Sequence, residues 1–333
     1  MSDTQAVTLG RRWFSAVVRW TLRGVAGLLV LVIVLSLAGA VFQHFAGKAD
    51  GVRFRPKGQM IAVEGHQFHI LCKGQGTPAV ILEPGLGLPS LVWAWVEEEV
   101  AGSSRVCIYD RAGYGWSDAT NAPADAETVS RQLHALLEGA NIPGPYVLVG
   151  HSIGGAYMRV FAAKYPEAAA ALILVDSTST VGIDWSTLST PSRLRMAAME
   201  YFTAVGGIRL VLALGFLESW QDLPPEEGAA ARAFLSSPKR MEAALKESNS
   251  LKRTLRQLSG LGDLGSLPVT VIYSEQVAVV PIVENQKRAW LNSSTNSRSI
   301  LVRGASHISI LTKHAHAREI AGAIASALAG LRH

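Results

Sequence analysis

Residues 24–42 read GVAGLLVLVIVLSLAGAVF, an uncharged run in which only Ser36 is polar. Nineteen residues at the helical rise reach about 28 Å, close to the hydrocarbon thickness of a bilayer. Because the run is apolar on all faces, it reads as a membrane segment or a signal sequence, not as the core helix of a domain. Arg11, Arg12, Arg19 and Arg23 precede it, so the positive-inside rule keeps the tail 1–23 in the cytoplasm and exports the chain beyond Phe42. The favoured reading is an uncleaved single-pass anchor at 24–42, since the run continues through the candidate cleavage site. The alternative is a signal peptide cut at Ala38-Gly39-Ala40, which leaves a secreted protein. Both readings put the remainder on the periplasmic or extracellular side.

The pattern changes after a polar, Gly- and Pro-containing stretch read as a linker over 43–58. From Gln59 onward, short apolar runs alternate with longer helical patterns. Strands are predicted at 60–63, 67–73, 79–83, 105–110, 146–149, 171–176, 269–274 and 299–302, and helices at 126–139, 153–165, 283–291 and 314–331. The tight Glu64-Gly65-His66 connection makes the first two strands an antiparallel hairpin. The later alternation predicts an α/β architecture with a mostly parallel sheet covered by helices on both faces. One segment breaks the rhythm. At about 178–266 no strand pattern occurs, and helical stretches lie at 193–204, 208–220, 229–235 and 239–258. A structureless loop of that length inside a compact domain is improbable, so the segment reads as a helical cap inserted into a domain spanning 59–333.

Composition narrows the options. With 49% hydrophobic and 17% charged residues in 333, the chain is long enough for one large, well-covered core. The net charge of +5 is partly the N-terminal arginine cluster, and no basic patch interleaved with aromatics occurs after it, which argues against nucleic-acid binding. Cys72 and Cys107 are the two cysteines, too few for a disulfide framework or a cysteine metal cluster. Each falls in a predicted strand, where a buried free thiol is the plain expectation. The histidines lack metal-ligand spacing with nearby acids, so neither metal nor cofactor is expected.

The candidate chemistry begins at Tyr146-Val147-Leu148-Val149, a β-rich run that enters Gly150-His151-Ser152-Ile153-Gly154-Gly155 without a gap and continues as a helix. Strand, sharp turn and helix around Gly-x-Ser-x-Gly present a serine Oγ at the top of a sheet, next to the positive end of a helix. Ser152 is the candidate nucleophile. Leu82-Glu83-Pro84-Gly85-Leu86-Gly87 comes after the third strand and Tyr109-Asp110-Arg111-Ala112-Gly113-Tyr114-Gly115-Trp116-Ser117 after the fourth. His307 comes after the last strand in Gly304-Ala305-Ser306-His307. With these motifs the chain from Gln59 onward resembles the α/β-hydrolase superfamily, particularly its membrane-anchored or exported bacterial-type serine esterases and lipases. The resemblance covers about 280 residues, with the cap unassigned.

The resemblance implies an eight-stranded sheet in the order 1-2-4-3-5-6-7-8 and a triad in the chain order nucleophile, acid, histidine. It assigns His307 as general base and the amides of Leu86 and Ile153 as the oxyanion hole. Residues 110–117 read as a structural wall; His151, His314 and His316 read as packing or solvated residues. The implied strand order makes Cys72 and Cys107 neighbours, so a disulfide stays open beside the free-thiol reading. The acid departs from the family pattern. In 271–277, VIYSEQV, Ser274 stands where a glycine is usual and Val277 where the acid is usual. Asp176, at the end of the sixth strand, is preferred as the acid, as in some lipases, and Glu275 is the alternative.

These readings point to a carboxylic-ester hydrolase acting through an acyl-enzyme on a small-molecule or lipid-like ester. The apolar cap segment 210–217, LVLALGFL, would cover the acyl site. Thioesterase, amidase and carbon–carbon hydrolase chemistry use the same triad and remain alternatives, as does a catalytically silent membrane-anchored binding protein. A serine elbow argues against the dehalogenases and epoxide hydrolases of the superfamily, whose elbows carry aspartate. Nothing in the sequence points to a protein partner; the membrane is reached through the N-terminal helix.

Overall fold

A computed structural model describes residues 3–181, 192–216, 220 and 222–332, with the backbone alone at 3–12 and 14–16. The parts of the predicted cap at 182–191, 217–219 and 221 lie outside the described residues, among them the end of the 208–220 helix and of the 210–217 segment. Eight strands form one sheet: β1 (Gln59–Val63), β2 (His66–Lys73), β3 (Ala79–Glu83), β4 (Val106–Tyr109), β5 (Tyr146–His151), β6 (Ala169–Val175), β7 (Val269–Ser274) and β8 (Ser297–Val302), in the order β1-β2-β4-β3-β5-β6-β7-β8. β1 and β2 pair antiparallel, as do β2 and β4; the other pairs are parallel.

The central strands β3, β4, β5 and β7 are buried at every position, which is why they read as continuous apolar runs. Their pleat divides the core in two. Val80, Leu82, Ile108, Val147, Val149 and Ile173 point to one face. Ile81, Cys107, Tyr109, Leu148, Leu172 and Leu174 point to the other. The first face is covered by α2 (Ala94–Ala101) and, at the C-terminus, α12 (His314–Gly330), through Val96, Val100, Ile320 and Ile324. The second is covered by α3 (Ala126–Gly139), α4 (Ile153–Lys164) and α10 (Pro281–Asn292). Helix α3 buries Val129, Leu133, Leu136 and Leu137, spaced at helical period, and Asp125 caps it by accepting from the Thr128 amide at 3.0 Å. The short α9 (Glu275–Ala278) and α11 (Ser309–Thr312) complete this part.

Between β6 and β7 lies the helical cap: α5 (Arg193–Ala204), α6 (Gly207–Ala213), α7 (Pro225–Leu235) and α8 (Pro238–Ser259). Here α6 stops at Ala213, before the end of the predicted 208–220 helix.

Two expectations are corrected. The stretch 43–58 is not a loop throughout, because α1 runs unbroken from Asp3 to Arg53 and carries tail, apolar run and most of the linker as one helix. No proline interrupts it before Pro56, and its last turns bind the cap: Gln43 Nε2 donates to the Ser236 carbonyl at 2.9 Å, and Arg209 pairs with Asp50 at 2.7 Å. Among the described residues, α1 is the one single helix long and apolar enough to cross a membrane. The cysteines are not free thiols. The antiparallel register sets Cys72 opposite Cys107, with Cα atoms 4.1 Å apart, and the two form a disulfide.

Candidate active site

Strand β5 delivers Ser152 to the N-terminus of α4 through a turn that only small neighbours permit. Ser152 has φ 55° and ψ −125°, a sparsely populated conformation. Its amide donates to the Val175 carbonyl at 3.0 Å, tying the turn to the end of β6. A side chain on Gly154 would strike the Glu83 and Pro84 carbonyls, and one on Gly155 would overlap Ser177. The elbow can therefore press against β3 and β6 only with glycine at those positions.

Asp176 comes directly after β6 and also has positive φ, 44°, held by its amide donating to the Ile272 carbonyl at 2.8 Å. Its carboxylate accepts from the Ser274 amide at 2.7 Å and the Ser274 hydroxyl at 2.6 Å. His307 Nδ1 stands 3.3 Å from the same carboxylate. Burial opposes ionisation of Asp176, but the hydrogen bonds from His307 and Ser274 outweigh it and hold the carboxyl below its usual range. Glu275 points elsewhere: its carboxylate accepts from the Gly304 amide at 2.8 Å. Ser274, the departure from the family pattern, is thus the group that orients Asp176. The sequence flagged position 274 as unusual without revealing that role.

His151 is fully buried between the elbow and His307. Its Nε2 donates to the His307 carbonyl at 2.8 Å, the two rings lie 4.5 Å apart, and its Nδ1 has no partner among the described residues. Burial, followed by repulsion from His307, pushes its pKa down to about 3, so it stays neutral. His151, Asp176 and His307 offer ligand atoms within 4.8 Å of one another. With His151 Nε2 committed to the His307 carbonyl and Asp176 to Ser274 and His307, this grouping reads as a proton-handling cluster. Among the described residues no hydrogen bond joins Ser152 Oγ to His307, a contact that commonly tightens only with substrate bound.

The loop after β3 passes directly over Ser152: a Cβ on Gly85 would lie 3.1 Å from that of Ser152 and 2.9 Å from His151 Nδ1. The amides of Leu86 and Ile153 donate to no acceptor among the described residues. What holds the loop is a buried ionic cluster. Arg111 donates to the Pro84 and Gly85 carbonyls, each at 2.9 Å, and pairs with Glu83 and Glu247. Glu247, on cap helix α8, also accepts from Tyr157 at 2.7 Å and from Tyr114. Burial raises the Glu83 pKa to about 7 against the pull of Arg111. Arg240, also on α8, donates to the Gly87 carbonyl at 2.8 Å. Arg111 and Glu83 lay within quoted motifs that gave no hint of their pairing, and Glu247 and Arg240 carried no signal, because their contacts span 136 and 153 residues of sequence. A cavity of about 520 Å³ opens beyond this cluster, between α5, α8 and the loop after β4; Ser152 is not among its lining residues.

A family model described as alpha/beta hydrolase fold matches residues 78–314. An uncharacterized protein, YbdG, of Bacillus subtilis is 27% identical over 187 residues, covering 55% of this chain and 57% of that protein. An uncharacterized vacuolar membrane protein of Saccharomyces cerevisiae is 34% identical over 134 residues, covering 35% of this chain and 21% of its own. In neither case does the match reach two thirds of the relative's length. Among solved structures, the epoxide hydrolase VrEH1 of Vigna radiata aligns with TM-score 0.63 at 15% identity over 82% of this chain and 98% of its own. A thermophilic esterase of Thermogutta terrifontis aligns with TM-score 0.59 at 22% identity over 84% and 100%. At these identities the likeness is one of fold.

Proposed function

This chain belongs to the alpha/beta hydrolase fold family, and from that premise we propose that it is a serine hydrolase that cleaves a carboxylic ester through an acyl-enzyme on Ser152. The observation that carries the reading is the convergence, at the ends of β5 and β6, of a strained serine at a helix N-terminus and a histidine whose Nδ1 faces a buried, ionised aspartate. In the proposed mechanism His307 takes the Ser152 proton as Oγ attacks the ester carbonyl, and Asp176 orients the ring and stabilises its protonated form. The negative charge that develops on the carbonyl oxygen is met by the Leu86 and Ile153 amides. His307 then returns the proton to the departing alcohol, and water releases the acid by the reverse sequence. The serine at the elbow favours this chemistry over the epoxide hydrolysis named for some structural neighbours.

In the same proposal α1 anchors the protein, with residues 1–23 cytoplasmic and the domain from 59 onward exported. The Cys72–Cys107 disulfide supports an oxidising compartment. A fluorophosphonate probe tests the nucleophile: the folded chain is expected to be labelled, and Ser152→Ala to lose both label and ester turnover. Equal labelling of Ser152→Ala, or none of the folded wild type, sinks the assignment.

A further inference from the structure

Outside α1, the main grouping of exposed large apolar side chains among the described residues lies on one corner of the cap. In α5, ten of twelve residues are exposed and only Thr203 is buried. Met196 and Glu200 line the cavity beside α8, so the opposite face presents Leu194, Ala198, Tyr201 and Phe202 outward. Beyond the elbow, Leu210, Leu214 and Phe216 are 60%, 63% and 73% exposed. A twelve-residue helix with so little covered draws little stability from packing in water, and an apolar patch of this kind marks an interaction surface.

The position of the patch identifies what covers it. Tyr201 hydrogen-bonds Ser36, and the Val205 carbonyl packs so closely on Gly39 that no side chain fits there. Ser36 and Gly39 lie inside the uncharged run of α1, and Ser36 precedes its end at Phe42 by six residues, about 9 Å along the axis. Contacts between α1 and a charged side chain of the cap are made just past the end of that run: Arg209 donates to Gln43 at 3.1 Å and to Asp50 at 2.7 Å. The boundary between hydrocarbon and water drawn along α1 therefore passes through the α5–α6 elbow. Exposed Arg193 and Arg195, at the start of α5, supply cations for lipid phosphates.

We infer that the α5–α6 corner of the cap is seated in the leaflet of the bilayer that α1 crosses, so that the ester reaching Ser152 is a long-chain acyl compound dissolved in that bilayer. This rests on the proposed anchor and nucleophile, and the apolar stripe is then in its preferred solvent.

Because both native cysteines are disulfide-bonded, a cysteine introduced into the full chain is a unique labelling site. Phe202→Cys and Leu210→Cys are labelled with an environment-sensitive fluorophore in vesicles of phosphatidylcholine and phosphatidylglycerol; Leu31→Cys in α1 and Ser326→Cys on α12 are controls. Quenching at 31, 202 and 210 by a lipid-borne nitroxide, with 326 open to aqueous iodide, is the expected result. Quenching at 31 with 202 and 210 open to iodide overturns the docking and leaves the anchor standing. Protection of 202 and 210 without lipid quenching, the pattern of a second copy covering the face, overturns it equally. Absence of lipid quenching at 31 overturns the anchor and the docking together. A double variant, Leu194→Asp with Phe202→Asp, should keep turnover of a soluble short-chain ester and lose at least about tenfold on a vesicle-dissolved long-chain ester. Equal loss on both substrates would show that these residues serve only the fold.

Discussion

At the ends of β5, β6 and β7 the polar side chains of the candidate site hold one another: Ser274 donates twice to Asp176, which faces His307. On α5 and α6 the situation is reversed, with apolar side chains exposed and few partners within the protein. The strand ends are over-determined by the sheet, so even unfavourable backbone conformations at Ser152 and Asp176 persist there. The cap has only partial support from the domain and relies on α1 for the rest. In the proposed reading, orientation of the reacting groups falls to the rigid half and access to the half seated in the bilayer. Between them lies the Arg111–Glu83–Glu247 cluster, through which cap helix α8 reaches the loop over Ser152.

The sharpest way to break this contrast is at the carboxylates. Asp176→Asn should lower kcat by about 10³–10⁴-fold while leaving the fold intact, as expected when a histidine loses its orienting charge. Glu275→Gln should stay within about threefold of wild type, since Glu275 only accepts from the Gly304 amide. The reverse pattern in steady-state turnover of an aryl ester would move the acid to the loop after β7.

A smaller effect is expected where the cap meets the sheet. Glu247→Gln leaves Arg111 buried with one fewer charge partner and should cost about 3 kcal/mol of stability in denaturant unfolding. Turnover should also fall, by about tenfold, because Arg111 braces the carbonyls of Pro84 and Gly85. Loss of stability with unchanged kcat would mean that the cluster supports the cap without shaping the loop over Ser152.

The smallest effect concerns acid sensitivity. Folded His151 has its pKa depressed to about 3, whereas the ordinary value is 6.5. Between these the unfolded chain binds the extra proton, so stability present above pH 6.5 is lost as pH falls towards 3. Asp176, also depressed, adds to the loss below the ordinary carboxylate range. His151→Gln keeps a donor for the His307 carbonyl and removes the first titration. Its melting temperature should decline less between pH 7 and pH 4 than that of the wild type; an unchanged slope places the acid sensitivity elsewhere.

Much of this was legible in the chain. Strands buried on both faces announce themselves as apolar runs, so β3, β5 and β7 were located to within two residues. The elbow was readable because its glycines are adjacent to the serine they serve. The linker misled, because polar residues after Phe42 look like a loop until Gln43 and Asp50 meet Ser236 and Arg209 of the cap. In the same way the cysteines could be placed on neighbouring strands, but not in register.

Local pattern was enough for the strands, the apolar N-terminal helix and Ser152 on its turn, since each depends on residues close to it in the chain; the strand order and the choice of His307 came from the family resemblance. The pairing of Asp176 with Ser274, the diversion of Glu275 to Gly304, the cluster around Arg111 and the joining of Cys72 to Cys107 were decided only on folding. Those contacts join residues from 26 to 136 positions apart. Strand register and helix packing set their geometry, and periodicity along a single segment carries no record of it.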